Sequence, residues 1–366
     1  MAGNLLDTYV IGFDRAIRET VETKGGKLRQ YVQLATGDLF RKEGVYQRTS
    51  GGGLPQKVTN RFGDSPVSDI DYSRRRTSRI AYQDGQFMDW ADVSKMGTDP
   101  RSNKLSAMKN KFLRQEDVIL DQALLGAAKG GANGDTDQYL TNSNNMIIDS
   151  GATGTDGSVS VIAKGFTYER FLGTLTQFGN LSVDIEANAP VFKLSWNQWR
   201  DMMSDDQFVN FDYTAQRPID GGVGIYDYMG AKFCISNILP YFSSSTDDGD
   251  PVVRASLGTS ATSNSGSTLK IADSDINTTT GVWNKVDVDT HSAVDATSHL
   301  RAVYAFVQDA ALLEINPDMT TKISERADKS FNYYAYMKAE FGAVRMEEEK
   351  VIVIPSLEGT TMTLGS

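Results

Sequence analysis

The side chains able to do chemistry in this sequence are few and scattered. Its two histidines, His291 and His299, lie in a polar stretch, far from the single cysteine, Cys234. A serine–histidine–acid arrangement needs its base held rigidly by packed structure, so both histidines read as solvated. Two histidines and one distant cysteine give no zinc spacing. Cys234 stands in the apolar run KFCISNI and reads as an inert buried thiol. Asp135 and Asp137 occupy the Gly-rich stretch GGANGDTDQY at 130–139. It loosely resembles a calcium loop but lacks the ligand pattern with a closing glutamate, and reads as a plain loop. MEEEK at 346–350 reads as a solvated turn between strands. GGVGIYDY at 221–228 lacks the spacing of a dinucleotide fingerprint, and no phosphate-binding loop occurs. No catalytic residue, cofactor or metal site is assigned, and a structural or binding role is expected rather than an enzyme.

The one dense run of functional side chains is basic. IDYSRRRTSRIAYQDGQF at 70–87 carries Arg74, Arg75, Arg76 and Arg79. Read as a strand, it places Arg74 and Arg76 on one face, Arg75 and Arg79 on the other. A strand charged on both faces is not expected at the centre of its own domain's sheet. It is expected to project, with a turn at Asp84-Gly85. It is a nucleic-acid patch, a solvated hairpin, or half of a contact completed by another molecule. The balance of 37 basic against 47 acidic residues, net −10, disfavours the first, because phosphate binding needs an excess of Lys and Arg.

The elements that must position these residues follow from pattern. The 366 residues are long enough for a sizeable core and two domains or subdomains, and 40% hydrophobic with 23% charged is ordinary for a globular chain. The start lacks a signal peptide's pattern, and no apolar stretch approaches the ~20 residues needed to span a bilayer. A soluble, unexported chain in a reducing cytoplasm is expected. Val10, Ile11, Phe13, Ile17 and Val21 recur at helical spacing, stopped by Gly25 and Gly26. The clearest helix is expected from Asp99, as N-cap before Pro100, to about Ala128, closed by Lys129-Gly130-Gly131 and about 45 Å long. Leu105, Met108, Phe112, Ile119 and Ala123 form its stripe, widened by Leu113, Leu120, Leu124 and Ala127. Short strands are expected at NMIIDS and VSVIAKG.

A second helix is expected near Phe166, with Tyr168, Phe171, Leu172, Leu175 and Phe178 on one face. APVFKLSWNQWRDMM reads as a buried strand, an N-cap at Ser195 and a helix burying Trp196, Trp199, Met202 and Met203. A strand pair is expected around Gly230, a polar insertion at 243–299, and a buried strand pair in AVYAFVQDAALLEI. Long alternating strands follow, with turns at Ala327-Asp328 and Gly342. Phe331, Tyr333, Ala335, Met337, Ala339 and Phe341 share one face; Tyr334, Tyr336, Lys338 and Glu340 share the other. Trp196 with Trp199, and Tyr333 with Tyr334 and Tyr336, read as packing rather than ligand faces. Helices and strands mix without regular alternation, so the class is α+β.

The order of these parts resembles the major capsid proteins of tailed bacteriophages, with the Hong Kong 97-type fold. DVILDQALLGAAKGGANGD is similar to the end of their long spine helix and the loop after it. FKLSWNQWRDMM is similar to their axial-domain strand and helix, and SERADKSFNYYAYMKAEFGAVRMEEEKVIVIPS to their closing peripheral strands. The resemblance implies an N-terminal arm at 1–48 and an extended loop at 49–92. The spine helix and first part of the peripheral domain follow at 93–165, an axial domain at 166–316 and returning peripheral strands at 317–366. It implies a shell subunit forming hexamers and pentamers of an icosahedral head that encloses double-stranded DNA without sequence-specific binding. The implied partners are further copies, a separate scaffolding protein, a portal protein and, as a further candidate, a decoration protein. The implied location is the virion capsid, after assembly in the host bacterial cytoplasm, with no membrane partner. Arg74, Arg75, Arg76 and Arg79 would then meet acidic surface on a neighbouring subunit, since the arginine fork pairs bidentately with carboxylates. A β-rich surface or adhesion module and a carboxylate-dependent hydrolase are the rival readings.

Overall fold

The computed structural model describes residues 25–35, 41–51, 70–89, 101–141, 165–205, 227–240 and 299–358, with single residues and two-residue strands between them. The expected arm helix, Asp99 and Pro100, NMIIDS, VSVIAKG, His291 and most of the 243–299 insertion lie outside the described residues.

Helix α1 runs Arg101–Leu125, about 37 Å at 1.5 Å per residue. It ends three residues before the expected Ala128: Gly126 N–H donates to Gln122 O at 2.8 Å and the backbone turns away. The residues expected to close the helix instead enter strand β5 (Ala128–Gly130), and Ala127, expected on the apolar stripe, is exposed. Helices α2 (Tyr168–Asn180) and α3 (Trp196–Ser204) start where read. Ser195 caps α3: its Oγ accepts from Asn197 N–H, and the Gln198 side chain accepts Ser195 N–H in return. Trp196, expected to be buried, is 43% exposed.

Three larger sheets organise the described residues. The first orders β2 (Glu43–Ser50), β3 (Asp71–Ser78), β5 and β6 (Thr136–Gln138). The second orders β1 (Gln33–Leu34), β15 (Ala311–Ile315), β17 (Asn332–Arg345) and β16 (Thr320–Arg326), with β4 (Ile80–Met88) on β17's other side. The third orders β18 (Val351–Glu358), β14 (His299–Phe306), β8 (Val191–Leu194), β10 (Ala231–Ile235) and β9 (Asp227–Tyr228). Two small ladders pair β7 (Leu140–Thr141) with β11 (Thr268–Leu269), and β12 (Ile276–Asn277) with β13 (Val282–Trp283).

The third sheet is buried on both faces, which is why its strands read as continuous apolar runs. Alternation sends Tyr304, Phe306, Val351 and Val353 into one core with the C-terminal half of α1, and Val303, Ala305, Ile352 and Ile354 into another with α2 and α3. On the second sheet, Ala335, Met337, Ala339 and Phe341 pack beneath Met108 and Phe112 of α1. Phe331, expected on that face, is 65% exposed. The opposite face carries Phe87 and Tyr334 with ring centroids 4.6 Å apart, and Tyr336 stacked beyond at 6.2 Å.

Of three expected turns, two lie inside strands. Asp84-Gly85 lies inside β4, with Gly85 opposite Tyr336, so the hairpin partner of β3 is β2 rather than β4. Gly342 lies inside β17, opposite Glu314. Ala327-Asp328 is a turn as expected, and the strand pair around Gly230 is β9–β10. The strands of AVYAFVQDAALLEI are buried but fall in two different sheets. Among the described residues no helix is long and apolar enough to cross a membrane.

Candidate functional site

The four arginines sit at the base of the β2–β3 hairpin. The register places Tyr46 opposite Arg75, Gln47 opposite Arg74, and Val45 opposite Arg76. In an antiparallel pair, opposed residues share a face. One face therefore carries Gly44, Tyr46, Arg75 and Thr77, and the other Val45, Gln47, Arg74 and Arg76. The first turns toward the body: Gly44, Arg75 and Thr77 are buried. The expectation that β3 avoids the centre of a sheet is overturned, since it lies between β2 and β5, with Arg76 opposite Lys129.

Arg75 is 1% exposed, and its guanidinium is engaged within its own chain. Its Nη2 donates to both oxygens of Glu348 at 2.6 Å, Nε to Met346 O at 3.0 Å, and Nη1 to Gln138 Oε1. Burial lowers its pKa, and the Glu348 charge opposes that shift. Glu348, expected in a solvated turn, is a hub: Arg345 Nε lies 3.6 Å and Arg48 Nη1 3.7 Å from its oxygens. Asn145 Nδ2 holds that turn by donating to Glu348 O at 2.5 Å and Val351 O at 2.8 Å.

Arg345 extends the network into the body. It is fully buried and closes the C-terminus of α1, Nη1 donating to Leu124 O at 2.8 Å and Gly126 O at 2.7 Å. A cation at these unpaired carbonyls suits the negative end of the helix. Nη2 donates to Gln138 O at 2.9 Å. Burial lowers the Arg345 pKa to about 10, against the Glu348 charge.

A second carboxylate holds the other end of the base. Glu314 of β15 is buried and accepts from Tyr46 Oη, with Arg41 Nη2 at 3.4 Å and Arg79 Nε at 3.9 Å. Burial and the Glu314 hydrogen bond raise the Tyr46 pKa. Arg79 also donates to Asn316 O and Arg41 O. Gly44 is required here, because a Cβ would fall on the Glu314 carboxylate. Arg76 pairs with Asp135 at 2.7 Å and Glu43 at 3.5 Å, so GGANGDTDQY is a charged hairpin, β5–β6, rather than a plain loop. Arg74 alone of the four is exposed with no side-chain partner among the described residues. Beside it on the outward face stand Tyr72, 66% exposed, and Val45, 43% exposed.

A second buried polar group joins α1 to the third sheet. Lys193 Nζ donates to Asp121 Oδ1 at 2.6 Å and Oδ2 at 2.8 Å, Tyr304 Oη donates to Oδ1, and both charged side chains have no exposure. Burial raises Asp121 to about 6 against the pull of Lys193. One turn earlier, Asp117 accepts Lys27 N–H at 3.3 Å and Leu28 N–H at 3.2 Å, anchoring the N-terminal segment on the helix. Its neighbour Glu116, buried with Arg29 Nε at 3.7 Å, is pushed by burial up to about 7. Cys234 is buried, as expected, and burial raises its thiol to about 11. Among the described residues no group of His, Cys, Asp or Glu could hold a metal ion.

Sequence reading missed every one of these buried acids. The available signals were weak: Glu314 interrupts the apolar run ALLEI, and Asp117 and Asp121 are spaced i, i+4 beside Val118, Leu120 and Leu124.

The profile of the family described as phage capsid protein matches residues 5–358. The chain belongs to the phage capsid protein family. Solved structures agree on the fold. The cyanophage Pam1 capsid subunit superposes with a TM-score of 0.62 at 10% identity, covering 98% of this chain and 99% of that one. The head protein of Helicobacter pylori bacteriophage KHP40 gives 0.62 at 9% identity, covering 97% and 99%. The capsid protein of cyanophage P-SCSP1u gives 0.61 at 12% identity, covering 97% and 95%. No curated protein sequence matches. This capsid protein has the Hong Kong 97-type α+β fold and is a structural subunit of a virion capsid rather than an enzyme. Its partners include further copies of itself.

Proposed function

We propose that copies of this chain form the hexamers and pentamers of an icosahedral head enclosing double-stranded DNA. Assembly takes place in the host bacterial cytoplasm with a separate scaffolding protein, around a portal, with a decoration protein as a further candidate partner. The extended loop, expected at 49–92, is laid over a neighbouring subunit; β3 lies within it and pairs with β2, most of which falls in the expected arm. One observation carries this reading. The hairpin's base is tied to its own body through Glu314 and Glu348, while its outward face leaves Val45, Tyr72 and Arg74 uncovered. A strand pair held firmly at its base with an unpartnered face suits contact with another copy. Each such contact is weak, and closed symmetry multiplies many of them into a stable shell. A net charge of −10 provides carboxylates for Arg74 to meet and disfavours tight DNA binding by the wall.

Light scattering and negative-stain microscopy of the purified chain, alone and with a scaffold expressed beside it, test this. Closed shells or free hexamers and pentamers are expected. A monomer or dimer under every condition, scaffold included, overturns it.

A further inference from the structure

We propose that Glu348 is a positioning residue that fixes the direction of the β2–β3 hairpin relative to helix α1. A continuous run of contacts joins three segments far apart in the chain: the end of α1, the turn after β17, and the hairpin. The last carbonyls of α1, at Leu124 and Gly126, accept from Arg345. Arg345 lies 3.6 Å from Glu348, and Glu348 accepts both short contacts from Arg75 on β3, with Arg48 on β2 at 3.7 Å. Both hairpin strands and the helix end thus converge on one carboxylate. Arg75 and Arg345 are buried cations and Glu348 is the acid beside both, so moving either element away strands a charge out of water. Gln138 reinforces the convergence, since its side-chain oxygen accepts from Arg75 and its backbone oxygen from Arg345. Two glycines bring the hairpin base close to the body. A Cβ at Gly44 would meet the Glu314 carboxylate and the Thr77 methyl, and one at Gly342 would meet the chain at Ser78–Arg79 where it crosses β17.

Glu348 thereby acts on assembly through the hairpin it aims. This inference rests on the hairpin's meeting a neighbouring copy, and two readouts separate its failure from the failure of that reading. The full chain carrying Glu348→Gln is compared with Glu348→Asp, which keeps the charge, and with Arg48→Ala, which removes only the more exposed cation. Hydrogen exchange of the unassembled subunit is measured over residues 43–50 and 71–78, against α1 and the third sheet. In Glu348→Gln the hairpin amides are expected to exchange about tenfold faster while the core of the third sheet stays protected. Glu348→Asp should restore most of the protection, and Arg48→Ala should show a smaller increase at unchanged thermal midpoint. In the presence of scaffold, Glu348→Gln is expected to give open sheets or several shell diameters where the parent gives one. Where Glu348→Gln fails to fold, Arg48→Ala decides alone. Wild-type exchange in the hairpin of a folded variant, with shells of parental diameter, overturns the proposal. Faster hairpin exchange with no shells from the parent chain upholds the positioning role and overturns the reading of the hairpin as an assembly contact.

Discussion

Arg75 and Glu348 stand 273 residues apart in the chain and meet at 2.6 Å, through a single guanidinium nitrogen on both carboxylate oxygens. The pair explains why four similar arginines in one short stretch have different consequences. Arg75 and Arg79 are 1% and 8% exposed and hold the hairpin to its own body, whereas Arg74 faces outward without a partner among the described residues.

Replacing Arg75 by Ala should therefore act on the subunit itself. It leaves Gln138 and Glu348 short of a buried donor, and about 3–5 kcal/mol of folding stability should be lost. Arg74→Ala should change subunit stability by no more than about 0.5 kcal/mol, yet lower the yield of closed shells. Urea denaturation and particle counts check both; equal destabilisation by the two variants would contradict the division of roles.

The Lys193–Asp121 pair makes a sharper thermodynamic test. Asp121→Ala strands a fully buried ammonium and should cost about 3–5 kcal/mol. The double variant Lys193→Met, Asp121→Leu removes both charges and should regain most of that loss. Denaturation midpoints of the three chains decide it, and a double variant no better than Asp121→Ala argues against an isolated buried pair.

Glu116 gives the subunit a pH dependence of definite sign. Burial raises its carboxyl from an ordinary 4.5 to about 7, despite Arg29 beside it. The folded chain thus keeps a proton that the unfolded chain has released between those values. The stabilisation is complete below pH 4.5 and is lost as pH climbs through about 7. Glu116→Gln should gain on the parent over that window, by up to about 3 kcal/mol. Thermal midpoints of both chains at pH 5 to 8 measure the gap, and a gap independent of pH refutes the assignment.

Gly342→Ala tests the crossing of the chain over β17. The added Cβ would meet Ser78 O at 2.8 Å, a backbone atom that cannot rotate away. The strand or the hairpin base must shift, and about 1–3 kcal/mol of stability should go with it. Faster exchange at residues 71–79 than in the third sheet would locate the shift. Parental protection in both places would mean that the crossing tolerates a methyl group.

The sequence made the apolar skeleton legible because periodicity reports burial directly. The stripe Leu105, Met108 and Phe112, the cap at Ser195, and the alternation of Ala335, Met337 and Ala339 are all found where pattern put them. Glycine misled where it served contact rather than turning: Gly85 and Gly342 sit inside strands because Tyr334 and the Ser78–Arg79 backbone need their space. The acids were illegible for a related reason. Glu314, Glu348 and Asp121 are placed by partners far away in the chain, and no local pattern records a partner at long range. Alternation set Arg75 on the opposite face from Arg74 and Arg76, but nothing local in the sequence shows which of the two faces meets the body.

The eight-residue strands of the hairpin have a mechanical consequence. At about 3.4 Å per residue they reach about 27 Å, and beyond Arg75 about 14 Å of strand remains, so a tilt of about 10° about that clasp moves the far end by about 2 Å. A shell closes only if that error stays small in every copy. On the proposed contact between copies, two carboxylates at the fulcrum set a manufacturing tolerance, and the size of the finished particle would follow how stiffly a few buried charges hold an angle.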